Sequence, residues 1–270
     1  MNANPSISTS VLCLFMLPFA LSSFQEKIVA QEPTFHKIPS QEISFQLSSD
    51  SSLSKIYKLE VEALKISDFI SYGEYEGFLN QIREDSTLEF YNTLLPDREM
   101  CLPKCYNAYV HSNAFNEYPV VGISWDAAMH YAKWLTLKNN PKKIELVYRL
   151  PKRSEWISAL KYLGDSSDLN HDYSDWTMTS HDESVFGWNE ISYPLDYIYY
   201  HKIDDPLVLK RKKIIGNSFR YQIENFVDSP FYGYSDHGYR DTSFRIVKEF
   251  KKSNNENQEP FKWLFKYWDL

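Results

Sequence analysis

The strongest pattern of apolar and polar positions lies between residues 118 and 156. An apolar run at residues 120–123 stops at Ser124, and Asp126 follows two positions later. Serine is a favourable N-cap, and an acidic side chain stabilises the first turn of a helix. The next residues predict an amphipathic helix to about Leu137, with small and apolar side chains on one face at Ala128, Tyr131, Ala132 and Leu135.

Two further helices are predicted from the same kind of pattern. One runs from Ser154 through Leu160, after a short Arg-Leu-Pro turn. The other follows a strand and a turn that begin at Leu64, because apolar side chains recur at helical spacing at Tyr75, Phe78, Leu79 and Ile82. We expect the large rings of these segments to pack in the core, namely Trp125, Trp134 and Trp156.

The stretches between these helices give weaker signals. Residues 25–54 are polar and rich in serine, with one alternating piece that predicts an edge strand at Ile43, Phe45 and Leu47. Residues 84–117 carry scattered aromatic side chains without clear periodicity, which predicts an irregular connection. Basic runs at Lys138–Lys143 and Lys210–Lys213 are interpreted as solvated loops.

The last twenty residues divide into a polar linker and an aromatic segment. Residues 251–259 read KKSNNENQE and predict disorder, whereas residues 260–270 read PFKWLFKYWDL. An exposed apolar patch usually marks an interface. The aromatic segment either folds back on the domain or docks to a partner or membrane surface, with self-association predicted through Phe261, Trp263, Phe265 and Trp268.

Five motifs follow one another in the order known from one enzyme family. YPVVGISWDAAMHYAKWL (118–135) and YRLPKRSEW (148–156) resemble PV-x-x-VSW-x-x-A-x-x-Y-x-x-W and RLPTEAEWEYA of the formylglycine-generating enzyme family, also called the sulfatase-modifying-factor domain. DYSDWT (172–177) is similar to N-V-W-E-W-T, GNSF (216–219) to GGSW, and SFRIV (243–247) to GFR-x-V. The opening motif, IS-x-x-EVTN-x-x-Y-x-x-FL, is retained at Tyr75 and Phe78-Leu79, but its Glu and Asn are lost where this chain has residues 69–72.

The resemblance implies an α+β fold of the formylglycine-generating-enzyme type, related to C-type lectins, in a single domain with little regular secondary structure. We predict a signal peptide at residues 1–30, an N-terminal extension at 31–60, the domain itself at 61–250, and the linker and tail at 251–270.

The family's chemistry is not matched at the expected positions. In catalytic members two cysteines shortly before the final GFR bind copper and activate oxygen. The corresponding stretch here, Phe226 to Arg245, contains no cysteine, and His237 within it is predicted to be an exposed loop histidine. The His-x-x-x-His-x-Glu motif of the related iron-dependent sulfoxide synthases is also absent from the sequence. We therefore assign no catalytic or cofactor-binding residue and do not expect copper.

Calcium is the one ion that the resemblance implies. The family commonly holds it in the loop that contains N-V-W-E-W. By register, Asp168 and Asp175 would supply carboxylates here, and His171 and Tyr173 would supply backbone carbonyls. Oxygen ligands on a flexible loop suit Ca²⁺. The alternative is a solvated acidic turn, and a second calcium loop of the family is interpreted as deleted.

Cysteine usage and the first residues indicate an exported protein. Residues 11–21 have the length and apolarity of a signal-peptide core, although no Lys or Arg precedes them, and Cys13 lacks a good lipobox. Cys101 and Cys105 would remain after cleavage, and we predict a small-loop disulfide or inert thiols, with metal or redox work as the alternative. No later segment is long and apolar enough to span a bilayer. We expect a periplasmic, outer-membrane-associated or secreted protein.

The function expected from these observations is that of a non-enzymatic scaffold in the cell envelope. Family members of this type include the gliding-motility lipoproteins of the Bacteroidetes, so a protein partner in a gliding or secretion complex is implied. A net charge of −7 argues against sequence-independent nucleic-acid binding. Two alternatives stay open: a metal-dependent oxidase of the same family that acts on a protein cysteine, and a ligand-binding module.

Overall fold

Three small sheets and five α-helices make up the part of the chain that the structure describes. The structure is a computed structural model that describes residues 32–46, 56–140, 145–164, 173–180, 196, 198–220 and 231–250. The helices are α1 (Tyr72–Asp85), α2 (Leu88–Thr93), α3 (Pro103–His111), α4 (Trp125–Asn139) and α5 (Arg153–Leu163). The strands are β1 (Phe35–Ile38), β2 (Gln41–Gln46), β3 (Ile56–Val61), β4 (Leu64–Ser67), β5 (Leu146–Arg149), β6 (Ser174–Ser180), β7 (Arg211–Ile215), β8 (Tyr232–Tyr234), β9 (Thr242–Phe244) and β10 (Val247–Phe250).

The strands pair in three separate sheets within the described residues. One four-stranded sheet has the order β1-β4-β10-β5 and is antiparallel throughout. A second has the order β8-β7-β6-β9, in which β6 and β9 are parallel and the other pairs are antiparallel. The β2-β3 hairpin pairs from Gln41↔Val61 to Gln46↔Ile56. This mixture of helices and sheets confirms the predicted α+β fold class.

Side-chain caps fix the starts of the two longest helices. Ser71 accepts a hydrogen bond from the Glu74 N–H at 3.2 Å, and the Glu74 carboxylate accepts one from the Ser71 N–H at 2.7 Å. This reciprocal arrangement satisfies two backbone donors that lack a partner within the helix. Ser124 caps α4 in the predicted way by accepting from the Ala127 N–H.

Aromatic side chains form the centre of the core. Tyr75 of α1 stacks on Tyr131 of α4 with 5.7 Å between ring centroids, and both rings contact Phe244 of β9 edge-on. The indole N–H of Trp176 donates to the Ile123 carbonyl, and that of Trp125 donates to the Thr177 carbonyl. These bonds tie the start of α4 to β6. Burial confirms the prediction for the three rings of the helical segments, Trp125, Trp134 and Trp156.

Two segments differ from the sequence-based expectation. The stretch 84–117 contains α2, α3 and two single-turn 3₁₀ helices, where an irregular connection was predicted. The interpretation of Lys210–Lys213 as a solvated loop is wrong, because most of this run lies in β7 and the side chains of Lys212 and Lys213 are buried. The Lys212 ammonium lies 4.3 Å from the Trp125 ring centroid and donates to the Tyr199 carbonyl, so tertiary contacts compensate for its burial.

The predicted N-terminal extension takes part in both sheets near it. β1 pairs with β4, and β2 pairs with β3. The Gln41 side chain donates to the Ser158 carbonyl of α5 at 2.7 Å, which holds the hairpin against that helix. The predicted signal peptide (1–30) and the linker and tail (251–270) lie outside the described residues. Among the helices that are described, none has the length and apolarity needed to cross a bilayer.

Candidate functional site

A buried ion pair links the two motifs that resemble N-V-W-E-W-T and GFR-x-V. Asp175 in β6 and Arg245, directly after β9, are both fully buried, with 3.2 Å between Arg245 Nε and Asp175 Oδ2. The same carboxylate oxygen accepts a hydrogen bond from the indole N–H of Trp156 at 2.8 Å. The Arg245 guanidinium also lies over the Phe69 ring, 3.8 Å from its centroid. Three of the motifs that carry the resemblance therefore meet at this point.

Burial affects the protonation of the Asp175 carboxyl. It raises the pKa of the Asp175 carboxyl, and the Arg245 charge and the Trp156 hydrogen bond offset part of that rise. Gly216 lies beside the pair with φ +95°, and a Cβ there would be 3.2 Å from the Trp156 ring. A glycine at this position therefore serves both the backbone conformation and the close approach to the indole.

A second charged network forms inside the YRLPKRSEW motif. Arg149 makes two hydrogen bonds of 2.7 Å to the two oxygens of Glu155, and its Nε donates to Glu249 of β10 at 2.9 Å. The Glu155 carboxylate also accepts from the Lys152 N–H at the start of α5. Burial alone would raise the pKa of Glu155, but the Arg149 charge brings it below its usual value. The network joins β5, α5 and β10, so these residues have a structural role here.

The predicted calcium residues are described in part. Asp168 and His171 lie outside the described residues. Tyr173 is half-buried, with ring-edge contacts to Phe69 and Phe219 at 6.3 Å, and the described hydrogen bonds of the Asp175 carboxylate go to Trp156 and Arg245. The described part of the chain holds no cluster of three or more His, Cys, Asp or Glu side chains suited to a metal. The calcium site stays a prediction.

The two remaining cysteines lie side by side next to the stretch where the family places its own. Cys101 and Cys105 are free thiols, the first half-buried and the second exposed. Desolvation and a hydrogen bond that the Cys101 thiol donates to Cys105 raise the pKa of Cys101 to about 11, against a small opposing effect of Arg240. The disulfide between them stays a prediction, because the pairing of adjacent thiols depends on the redox compartment.

Backbone contacts explain why this cysteine segment lies near Arg240. The Asp97 N–H donates to the Gly122 carbonyl at 2.7 Å, and the Gly122 N–H donates to the Tyr239 carbonyl at 3.0 Å. Gly238 would carry a Cβ 1.8 Å from the Gly122 oxygen, so glycine is required where these segments touch. Sequence reasoning missed this proximity because the segments are far apart along the chain and carry no local pattern.

A cluster of polar side chains near the start of α4 was also not predicted. The His201 Nε2 atom lies 2.9 Å from Ser235 Oγ and 3.3 Å from Asp126 Oδ1, and Lys212 is buried close by. Desolvation lowers the pKa of Lys212 to about 7, against the opposing charge of Asp126. In a serine–histidine–aspartate relay the two ring nitrogens serve different partners. Here one nitrogen faces both, so the geometry does not match such a relay.

His237, the histidine singled out from sequence, is exposed as predicted. Its Nδ1 lies 2.6 Å from the Asp236 carboxylate, and 57% of its side chain is accessible. The neighbouring residue thus supplies its polar partner on the surface.

Comparison with known proteins identifies the family. The model of the sulfatase-modifying factor enzyme 1-like domain (FGE-sulfatase) matches residues 44–204, more than half of the chain. No curated protein sequence matches.

Solved structures show the same fold at low sequence identity. CarF is 13% identical with a TM-score of 0.52, over 82% of this chain and 99% of CarF. PvdO from Pseudomonas aeruginosa is 12% identical with a TM-score of 0.51, over 83% of this chain and 97% of PvdO. Treponema denticola variable protein 1 is 11% identical with a TM-score of 0.50, over 80% and 95%. Identities this low establish the fold and carry no activity across.

The motifs predicted this family, and the family model and the fold confirm it. The chain belongs to the sulfatase-modifying factor enzyme 1-like domain family.

Proposed function

We propose that this protein is an exported, non-enzymatic scaffold that binds a protein partner in the cell envelope. The observation that carries the proposal is that the family's motif residues make contacts inside the protein. Arg245 and Trp156 both contact one oxygen of the buried Asp175 carboxylate, so these motif residues serve the interior, and no thiol occurs between Phe226 and Arg245. A protein that keeps the family fold but lacks the family's thiol pair is suited to an interaction role. The export signal inferred at residues 1–30 supports the envelope location, and a gliding or secretion complex is a suitable setting.

The catalytic part of the proposal is tested with a peptide that carries a sulfatase cysteine motif. We expect no conversion to formylglycine with or without copper, because two converging thiolates are the soft ligands that select Cu(I). Mass spectrometry measures the aldehyde, and an active family member processed in parallel is the positive control. Copper-dependent formation of the aldehyde product would refute the non-enzymatic assignment.

The scaffold part is tested by affinity purification from native envelopes. A tagged chain should recover an envelope protein in near-stoichiometric amount after crosslinking. Recovery of the tagged chain alone, from cells in which it is folded and exported, would contradict the proposal.

One observation favours a second candidate, an unusual oxidase. Cys101 and Cys105 are adjacent and lie near Arg240, inside the stretch where the family carries its own cysteines. Two such thiols fit Cu(I) by ligand type, although Cys101 would have to lose its proton against a raised pKa. If the peptide assay gives product, Cys101→Ser and Cys105→Ser should each abolish it. Full activity in both variants would exclude this pair as the copper site.

Calcium binding is proposed as a stabilising feature of the loop before β6. A ligand that binds only the native state stabilises it by about 2.7 kcal/mol at a hundredfold excess over Kd. Adding calcium to metal-stripped protein should therefore raise the melting temperature, and Asp168→Asn should remove the gain while Asp204→Asn retains it. An unchanged melting temperature in the unmodified protein would refute the site.

A further inference from the structure

A cavity of about 430 Å³ opens between α1, α2 and α4. Its lining residues come from these three helices, and none comes from the sheet that carries Asp175 or from the segment around Arg245. The volume is within the range of small-molecule sites, which are typically mostly apolar with a few placed polar groups. The cavity is therefore independent of the positions where the family does its chemistry.

Aromatic side chains form the walls of this cavity. Phe78 and Trp134 pack at 5.4 Å between ring centroids, and Phe90 meets the His130 ring edge-on at 4.9 Å. The Trp134 indole N–H donates to the Gln81 side chain at 2.9 Å, which fixes the orientation of the ring. Walls of this kind are preorganised to take a flat apolar group, because their rings are already held in place.

The cavity is lined by more basic than acidic side chains. Lys133 and Lys138 come from α4, Asp85 comes from the end of α1, and the half-buried His130 lies with them. The Lys138 ammonium lies 4.7 Å from the Trp134 ring centroid. When both lysines are protonated, two ammonium groups against one carboxylate give a local positive excess in a chain whose net charge is −7. A ligand that complements this cavity therefore carries a negative charge.

We propose that this cavity binds a small amphipathic anion, with a flat apolar body against Phe78, Phe90 and Trp134 and a carboxylate facing Lys133 and Lys138. The proposal goes beyond the scaffold role and does not depend on it. Binding depends on the protonation of the two lysines, because desolvation lowers the pKa of Lys133 to about 7 and also lowers that of Lys138. A carboxylate between the two amines stabilises their charged forms.

The test uses three probes that share one ring system and differ in charge. Indole-3-acetate is the anion, indole-3-acetamide the neutral isostere and tryptamine the cation, each titrated calorimetrically into the full chain. We expect one site for indole-3-acetate, with the other two about tenfold weaker or worse, since charge-assisted hydrogen bonds to the ammonium groups are lost. Equal affinity for all three probes, or no binding of the anion, would overturn the proposal.

Variants locate the site. Lys133→Gln and Lys138→Gln should each weaken indole-3-acetate about tenfold. Lys133→Arg should retain most of the affinity, and Lys104→Gln, a change at an exposed lysine of α3, should leave it unchanged. Thermal melts show whether each variant is folded. Binding that is insensitive to both glutamine variants places the anion elsewhere and overturns the assignment.

A peptide with the sequence of residues 261–270 tests another occupant, the chain's own aromatic segment. Under the proposal this peptide does not displace indole-3-acetate. Tight binding of the peptide that is lost in Lys133→Gln, together with no binding of the small anion, would assign the cavity to that segment instead.

Discussion

At the residue scale, the charged side chains of the family motifs are buried in the interior. Asp175 and Arg245 have no exposed surface, and Arg149 and Glu155 are nearly as buried. A buried ion pair is itself a weak source of stability, but removing one partner leaves an uncompensated charge and is costly. This asymmetry makes the two pairs sensitive probes of the fold.

Arg245→Met should destabilise the protein by about 3–5 kcal/mol, because Asp175 then remains buried with the Trp156 hydrogen bond as its described compensation. Asp175→Asn should have a comparable cost, since it leaves the Arg245 guanidinium buried without its counter-charge. Urea unfolding measures both. In the double variant the two costs should not add, and strict additivity would show that the two side chains are not coupled.

The Arg149–Glu155 pair predicts a pH dependence with a definite sign. The pKa of Glu155 is lowered in the folded state, so the stability it contributes is present above its ordinary value of 4.5 and is lost as the pH falls through the lowered pKa. Asp175, Asp196 and Glu74 have raised pKa values and act in the opposite direction over the range just above their ordinary values.

The comparison of the protein with Glu155→Gln isolates this contribution. The difference in unfolding free energy should be about 3–5 kcal/mol at pH 6 and should shrink by pH 3. Urea midpoints at both pH values measure it. A difference that is constant with pH would mean that folding does not shift the pKa of Glu155.

At the scale of elements, long periodic segments were predictable and short ones were not. Helices α1, α4 and α5 have apolar faces of three or more turns, and a serine caps each of the first two, so their positions follow from the sequence. Helices α2 and α3 are six and nine residues long, too short for the pattern to repeat. Strand β7 was not predicted, because its sequence is a basic run. The partners that allow Lys212 to be buried come from distant segments.

The same reasoning applies to the candidate sites. The motif residues could be located from sequence because their spacing is local. The adjacency of Cys101 to the Arg240 segment and the grouping of His201 with Ser235 and Asp126 arise from tertiary contacts alone. The cavity behind Trp134 is likewise formed by three helices, one of which was not predicted.

The capping box of α1 allows a prediction about the stability of a single helix start. Ser71→Ala should destabilise the protein by about 1 kcal/mol, because the Glu74 N–H loses its acceptor. Ser86→Ala, at the exposed C-terminal end of the same helix, is the matched control and should have little effect. Thermal unfolding of both variants measures the difference, and equal effects would argue that the cap contributes nothing specific.

At the scale of the whole molecule, the last described strand is β10, which ends at Phe250. We predict that truncation after Lys252 leaves the melting temperature nearly unchanged, because the polar linker that follows has little apolar surface to bury. Association with a partner or with a second copy should weaken as the aromatic segment is lost. Calorimetry and sedimentation velocity measure the two effects. Unfolding of the truncated chain would show that the segment belongs to the core.

The pairing of β1 and β10 on either side of β4 has a mechanical consequence. Both strands are antiparallel to β4 and hence parallel to each other. The first residue of β1, Phe35, lies opposite Ser67 at the end of β4. In β10, Lys248 lies opposite Lys65 near the start of β4, and the strand continues to Phe250. The chain thus reaches β1 at one end of this sheet and leaves β10 at the other. Tension between the segments that flank these strands would slide them along β4 and load the ladder hydrogen bonds together. A sheet held in this shear geometry resists stretching better than one that is peeled open bond by bond, which single-molecule pulling would detect as a high rupture force.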